Sequence, residues 1–416
     1  MEPNKTGPFR SADWRVAATI ILIGSTLSGC VLTHDRAPVP AGLAASAQIG
    51  QVKLARTWGD QFTPEARALI DHQYDSLKSA MQSPQFPRAS RHRADFLAIS
   101  GGGSDGAYAA GVLVGWTEKG DRPHFEVVTG VSTGALAAPF AFLGSRYDGQ
   151  LEQIFTLYGD GDIYTNLGLI GVVGRSLYDS KPLRSLIGRY LTKHVVDAIA
   201  AEYRIGRRLL IQTTNIDAQR PVIWDISAIA ASERPDRREI MINVLLASAA
   251  IPAVFPPVRI DVEALGRTTQ ELHIDGGTVS QLFFAPPGVG LNAFERRHFG
   301  RVRDRRLFVI LNGKLAPDFA VTEESALKIA RRAIATIVKY QSIADLTRLD
   351  AQARAAGAQL RFTAIPSEFF AIANSEFDRE YMQRLFALGR QVGRQGTWSS
   401  HPAPTPGVAM RSQRAS

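Results

Sequence analysis

Phe125-Glu126-Val127-Val128-Thr129-Gly130-Val131-Ser132-Thr133-Gly134 reads as an apolar strand, Phe125–Thr129, that breaks at a glycine into a serine-bearing turn. A small-residue helix pattern follows from Ala135 to Leu143. A G-x-S-x-G turn between a strand and a helix lifts a serine hydroxyl clear of the backbone, where a substrate carbonyl can reach it. Gly130 and Gly134 serve the turn itself, because side chains there would crowd it. Ser132 is therefore the candidate nucleophile.

Working outward, apolar runs at Asp95–Ser100, Phe125–Thr129, Arg208–Thr213, Glu271–Ile274, Leu307–Leu311 and Gln359–Thr363 predict strands. Helical patterns fall at Ser104–Lys119, Gly134–Leu143, Pro182–Tyr190, Glu239–Ser248, Glu323–Leu349 and Arg379–Val392, with an earlier one over residues 62–81. The alternation predicts an α/β layer architecture with a mostly parallel sheet. The long helix carries an apolar stripe of Leu327, Ala330, Ile334, Ile337 and Val338, opposite Lys328, Arg331, Arg332 and Lys339. Such a stripe is expected to face the core.

The first strand runs into Gly101-Gly102-Gly103-Ser104-Asp105-Gly106 and then a helix. Backbone N–H groups left uncovered before a helix favour anions. One reading is a pyrophosphate cradle, since Gly101, Gly103 and Gly106 satisfy G-x-G-x-x-G. The other is an oxyanion hole for an acyl intermediate. A dinucleotide fold expects an acid at the end of the second strand. Here that strand opens the serine turn, which favours the oxyanion hole, and no Walker lysine follows the glycines.

A serine nucleophile needs a base, and the familiar one is histidine held by an acid. Of eight histidines, only His298 falls late and near a loop, within Arg296-Arg297-His298, which has the look of solvated surface. Asp275, in His273-Ile274-Asp275-Gly276-Gly277, is the better candidate. A carboxylate at the C-terminal end of a strand points into the crevice where open α/β sheets bind ligands.

Gly-Gly-Gly-x-x-Gly, G-x-S-x-G and Asp-Gly-Gly in this order resemble the patatin-like phospholipase family. The stretch Ala247-Ser248-Ala249-Ala250-Ile251-Pro252-Ala253-Val254-Phe255-Pro256-Pro257-Val258 is similar to the one preceding that family's aspartate. The resemblance implies a patatin-like three-layer α/β/α fold with a mostly parallel central sheet. It also implies a lipid acyl hydrolase, a carboxylic ester hydrolase of the phospholipase A or lysophospholipase type, that needs no cofactor. Ser132 would be nucleophile and Asp275 base, without histidine. The amides around Gly102 and Gly103 would form the oxyanion hole, shaped by Gly101 and Gly106, while Gly276 and Gly277 free the loop after the base. Asp105 departs from the pattern, because many members carry Arg or Lys in that stretch. The competing readings are an α/β-hydrolase esterase with a Ser-His-Asp triad and a catalytically silent lipid-binding lipoprotein.

Hydrophobic residues make up 45% and charged residues 21% of the chain, ordinary for a folded protein and against wholesale disorder. The net charge of +9 is spread without long Lys/Arg runs, as a solvated basic surface with some attraction for anionic lipid. No nucleic-acid motif accompanies it. The single cysteine, Cys30, excludes an intramolecular disulfide. It follows a positive n-region (Lys5, Arg10, Arg15) and an apolar stretch from Val16 to Leu27. That stretch suits a signal h-region, and Leu27-Ser28-Gly29-Cys30 resembles a bacterial lipobox.

The expected organisation is a signal peptide over 1–29, a lipidated tether over 30–50 and a helical extension over 51–93. A catalytic domain over 94–392 and a disordered tail over 393–416 follow. Acylated Cys30 would hold the chain at the cell envelope, with Val31 leaning towards the outer membrane, periplasmic side or surface. The expected partners are a phospholipid or other acyl-ester lipid and the membrane surface. Asp160 and Asp162 are too few ligands for a Ca²⁺ loop, and no metal is expected.

Overall fold

The computed structural model describes residues 36–50, 52, 54–167 and 176–400. The expected signal peptide, Cys30, His34 and His401 lie outside the described residues. The chain divides into two units, Met1–Ala37 and Pro38–Ser416, and the second holds the sheet and its helices. Among the described residues no helix is long and apolar enough to cross a membrane.

Nine strands form one sheet: β1 (Arg56–Trp58), β2 (Arg93–Ile99), β3 (Val127–Val131), β4 (Arg208–Asn215), β5 (Arg220–Asp225), β6 (Val258–Ala264), β7 (Arg267–Asp275), β8 (Asp304–Leu311) and β9 (Ala358–Ala364). The order is β1-β5-β4-β3-β2-β8-β9, with β7 on β4 and β6 on β7. From β4 to β9 the neighbours are parallel, and the remaining pairs are antiparallel. The helices are α1 (Pro64–Met81), α2 (Gly106–Lys119), α3 (Thr133–Leu143), α4 (Asp148–Thr156), α5 (Lys181–Tyr190), α6 (Lys193–Arg204), α7 (Arg237–Ser248), α8 (Leu291–Phe299), α9 (Ala326–Ala355) and α10 (Arg379–Gln395), with shorter turns between them.

The layers follow from the period of two in the central strands. Leu97, Ile99, Val128, Phe308 and Ile310 share a core with α2, α3 and α10. Their alternates Phe96, Ala98, Val127, Leu307 and Val309 share another with Leu291 of α8 and Leu346, Leu349 and Ala353 of α9. This is the three-layer α/β/α arrangement with a mostly parallel sheet that the sequence predicts. All six expected strands are present; β1, β5 and β6 are additional.

α2 and α10 approach closely because each carries a G-x-x-x-G pair. A methyl group on Gly115 would sit 2.0 Å from the Arg390 carbonyl oxygen, and one on Gly389 would sit 2.3 Å from that of Tyr108. α2 starts at the glycine loop, so α10 braces that loop from behind.

Four expectations need correction. Residues of the expected tether belong to the body: Ala47 and Ile49 are buried, and the Gln48 and Glu263 backbones pair. Small side chains let that segment lie flat against β6. The expected helical extension does hold a helix, α1, but it also contributes β1 to the sheet, paired antiparallel with β5. The chain stays ordered past Gly393, since Trp398 packs on Trp116 and Phe308 and Ser399 pairs with Phe362. Finally, the stripe on the long helix does not face the core. Ile334 and Ile337 are 61% and 65% exposed and Ala330 is exposed; Val338 is half-buried. The 30 residues of α9 span about 45 Å. The strands that the helix covers reach only about 25 Å. Its second half covers the sheet, and its first half overhangs the C-terminal edge.

Candidate active site

Ser132 and Asp275 meet because two strands reach one edge of β4 from opposite directions. β3 runs parallel to β4 and ends with Val131 opposite Gln212. β7 arrives antiparallel on the same edge and ends with Asp275 opposite Thr213. The residue after β3 and the last residue of β7 are thus placed nose to nose. The Ser132 Oγ hydroxyl donates to Asp275 Oδ2 at 2.6 Å. Both side chains are buried.

The turn at Ser132 is strained, with φ +53° and ψ −125°. A non-glycine residue at positive φ costs roughly 1–3 kcal/mol and persists only where its surroundings enforce it. The enforcement is visible. The Ser132 N–H donates to Ser248 Oγ at 3.0 Å, and the Ser248 hydroxyl donates to the Gln212 carbonyl at 2.7 Å. A methyl group on Gly134 would sit 2.4 Å from the Ile99 carbonyl oxygen, and one on Gly130 would sit 2.6 Å from that of Gly134. Both glycines are therefore required by close backbone approach. Ser248 lies in the Ala-Ser-x-x-Ile-Pro stretch, but its clamp on the elbow was not legible from the spacing.

The second oxygen of Asp275, Oδ1, accepts the Gly277 N–H at 2.7 Å. Gly276 has room for no side chain, since a methyl group would lie 2.4 Å from the Gln212 carbonyl oxygen. Burial pushes the Asp275 carboxyl up to about 7, against the pull of the Ser132 hydroxyl and the Gly277 amide. A group that ionises near neutrality is poised to take and return a proton.

In the glycine loop, Gly102 and Gly103 sit at φ +154° and +57°. No hydrogen bond among the described residues takes the N–H of either one, whereas the Gly101 N–H donates to the Gln281 carbonyl at 3.3 Å. Gly103 lines the same cleft as Ser132. Gly106 plays a packing part: a methyl group there would lie 2.2 Å from Thr133 Oγ1. Asn312, at the end of β8, holds the loop by donating to the Ser100 carbonyl and accepting the Ala109 N–H. Asp105 is turned away under α10, where Tyr381 donates to it at 2.5 Å, and burial pushes its carboxyl up to about 6.

His298 and His273 are engaged elsewhere. His298 lies between Asp71 and Asp75 of α1, at 2.9 and 3.1 Å, stacked on Tyr74. It is not the solvated surface residue that its neighbours suggest; its ring is enclosed. His273 contacts Thr213 and Glu271, and burial holds it below its ordinary pKa. No described histidine is hydrogen-bonded to Ser132 or Asp275. Asp160 and Asp162 accept backbone N–H groups, from Phe377 and Gly159. Among the described residues no group of three or more His, Cys, Asp or Glu is placed to hold a metal ion.

Beyond Ser132 the cleft is apolar, with Leu136, Ile154, Phe155, Leu183, Phe255 and Phe377 among its walls. Leu136, Ile154, Leu183 and Leu186 also wall a second apolar cavity that reaches Tyr190 and Leu245.

Among solved structures, the chain is similar to VipD from Legionella pneumophila at 13% identity, covering 75% of this chain and 68% of that one, with a TM-score of 0.31. It is similar to human GIVD cytosolic phospholipase A2 at 11% identity, covering 69% of this chain and 51% of that one, with a TM-score of 0.32. The chain thus aligns with about half of the human enzyme's length. No curated protein matches it. The patatin-like phospholipase family model matches residues 97–286, from Leu97 in β2 to Pro286, and so takes in the glycine loop, the elbow and Asp275-Gly276-Gly277. Over residues 97–286, a little under half of its length, the chain is similar to the patatin-like phospholipase family.

Proposed function

We propose that the protein is a lipid acyl hydrolase, a serine esterase of the phospholipase A or lysophospholipase type, working through a Ser132–Asp275 dyad. The observation that carries this reading is the 2.6 Å contact between Ser132 Oγ and Asp275 Oδ2 at the head of an apolar cleft.

Asp275 takes the Ser132 proton as Oγ attacks the ester carbonyl carbon. The carbonyl oxygen becomes an oxyanion against the Gly102 and Gly103 amides, where one donor is worth about 3 kcal/mol of barrier. Collapse expels the alcohol, which leaves with the proton held by Asp275. Water then attacks the acyl-serine, giving its proton to Asp275, and the serine oxygen recovers it as the free acid departs. The apolar walls and the cavity behind them suit the acyl chain.

Ser132 should be labelled by a fluorophosphonate. A panel of phospholipid, lysophospholipid, triglyceride and short-chain esters should show release from lipid that Ser132→Ala abolishes. His298→Ala should leave turnover nearly intact; its loss would favour a histidine-based triad. Absence of labelling beside a labelled control esterase would favour a silent lipid-binding protein. We further propose that Cys30 is acylated and tethers the domain to the cell envelope, which metabolic labelling with a fatty-acid analogue and a Cys30→Ser control would test.

A further inference from the structure

The overhanging first half of α9 is turned inside out. Arg332 and Lys339 bend back onto the Asp318 and Ala316 carbonyls, while Ile334 and Ile337 point to solvent. Two loops beside this half of the helix also expose large apolar side chains: Phe319 and Val321 are 96% and 87% exposed, and Phe370 and Ile372 are 80% and 86% exposed. Lys314 links them, pairing with Asp318 and lying 5.8 Å over the Phe370 ring.

This surface borders the catalytic cleft. Gln341 donates to the Val279 carbonyl, four residues beyond Asp275, and Phe377, at the end of the second loop, is a wall of the cleft. Residues 314–344 contain five cations, Lys314, Lys328, Arg331, Arg332 and Lys339, against the carboxylates Asp318, Glu323 and Glu324, so the surface keeps a net positive charge although Lys339 pairs with Asp318 and Lys328 with Glu323. Large apolar side chains projecting from a cationic helix, at the entrance of a cleft suited to an acyl chain, fit the interface of an anionic bilayer. Soluble proteins seldom leave such a cluster in water.

We propose that the first half of α9, with the Phe319–Val321 and Phe370–Ile372 loops, inserts into an anionic phospholipid surface and seats the cleft on it. The inference rests on the lipid-hydrolase reading above. It is distinct from the proposed Cys30 tether, because it sets the orientation of the domain as well as its proximity to the bilayer.

The single cysteine makes a local test available. In the full chain carrying Cys30→Ser, a polarity-sensitive fluorophore is placed at Ile337→Cys or Phe370→Cys, with Leu265→Cys as control. Leu265 is 78% exposed on the β6–β7 turn, at the opposite end of β7 from Asp275. With vesicles of phosphatidylcholine and phosphatidylglycerol, emission at 337 and 370 should shift to the blue and be quenched by brominated acyl chains. The shift should weaken on phosphatidylcholine alone, and position 265 should stay silent. The double variant Ile334→Glu/Ile337→Glu should lose about tenfold in turnover on vesicles while hydrolysis of a soluble short-chain ester is retained. Silent probes at 337 and 370 in a protein that still hydrolyses the soluble ester would overturn the proposal. A blue shift without vesicles that grows with protein concentration would overturn it too, in favour of a second copy covering the face. A vesicle-dependent shift in a protein that cleaves no ester would instead sink the hydrolase reading and leave the docking surface standing.

Discussion

The elbow at Ser132 and the front half of α9 both lie at the C-terminal edge of the sheet and are built on opposite terms. At the elbow, Gly130 and Gly134 are hemmed in by backbone, and Ser132 is held at positive φ by a hydrogen bond to Ser248. On α9, Ile334 and Ile337 project into solvent. One region is over-determined, which keeps nucleophile and base in register; the other is fastened along one side, by Arg332 and Lys339, and leaves its large apolar side chains exposed. The contrast separates the part of the molecule that must not move from the part whose partner comes from outside.

The largest expected effect is at the rigid end. Asp275→Asn removes the proton acceptor and should lower ester turnover by about 10³-fold. In the parent protein, kcat/KM should fall tenfold per pH unit below about 7, where the carboxyl takes up its proton. A stability readout accompanies this. The folded protein holds that proton more tightly than the unfolded chain does. Its contribution to stability is therefore complete below the ordinary carboxylate pKa of about 3.9 and is lost as pH rises through about 7. Asp275→Asn lacks this loss, so its stability relative to the parent should improve between pH 5 and pH 8. A flat urea-midpoint difference across that range would show that the carboxyl is not shifted.

The next effect probes the enforcement itself. Gly134→Ala should cost about 3 kcal/mol or more in urea unfolding, because the new methyl meets the carbonyls of Ile99 and Ser100, which side-chain repacking cannot move. Gly149→Ala, in a helix where nothing lies within 4 Å, is the matched control and should be stabilising by about 0.5–1 kcal/mol. Equal effects at the two sites would erase the distinction between the elbow and an ordinary surface position.

The same contrast explains what was legible in the sequence. The elbow, the glycine loop and Asp275-Gly276-Gly277 are local devices, and their steric demands are written into adjacent residues. The stripe on α9 states that one face is apolar, but not what that face meets. That depends on the length of the helix relative to the sheet, a property of the whole fold. The expected tether failed similarly, because a composition of Ala, Pro and Gly is equally suited to close packing. β6 was readable: Ile260, Val262 and Ala264 alternate with exposed Asp261 and Glu263, the pattern of a half-buried strand. The G-x-x-x-G pairs of α2 and α10 acquire meaning only when the two helices, more than 260 residues apart, are known to touch. Tyr381 on Asp105 is a contact of the same long range.

The smallest expected effect is the most exacting for the contrast. Ile334→Ser exchanges a large apolar side chain for a small hydroxyl in mid-helix. If Ile334 belonged to a core, the loss of its buried surface would cost about 2–5 kcal/mol, as large-to-small core substitutions do. At 61% exposure little of that surface is removed from water on folding, and serine and isoleucine have nearly equal helix propensities. The urea midpoint of Ile334→Ser should therefore stay within about 0.5 kcal/mol of the parent. Leu349→Ser, in the buried half of the same helix, should fall by several times that amount, since Leu349 is fully buried against the sheet and the serine hydroxyl would lie in an apolar site. Comparable losses at the two positions would mean that the front of α9 is covered in solution, and the division between a locked elbow and an open rim would fall with it.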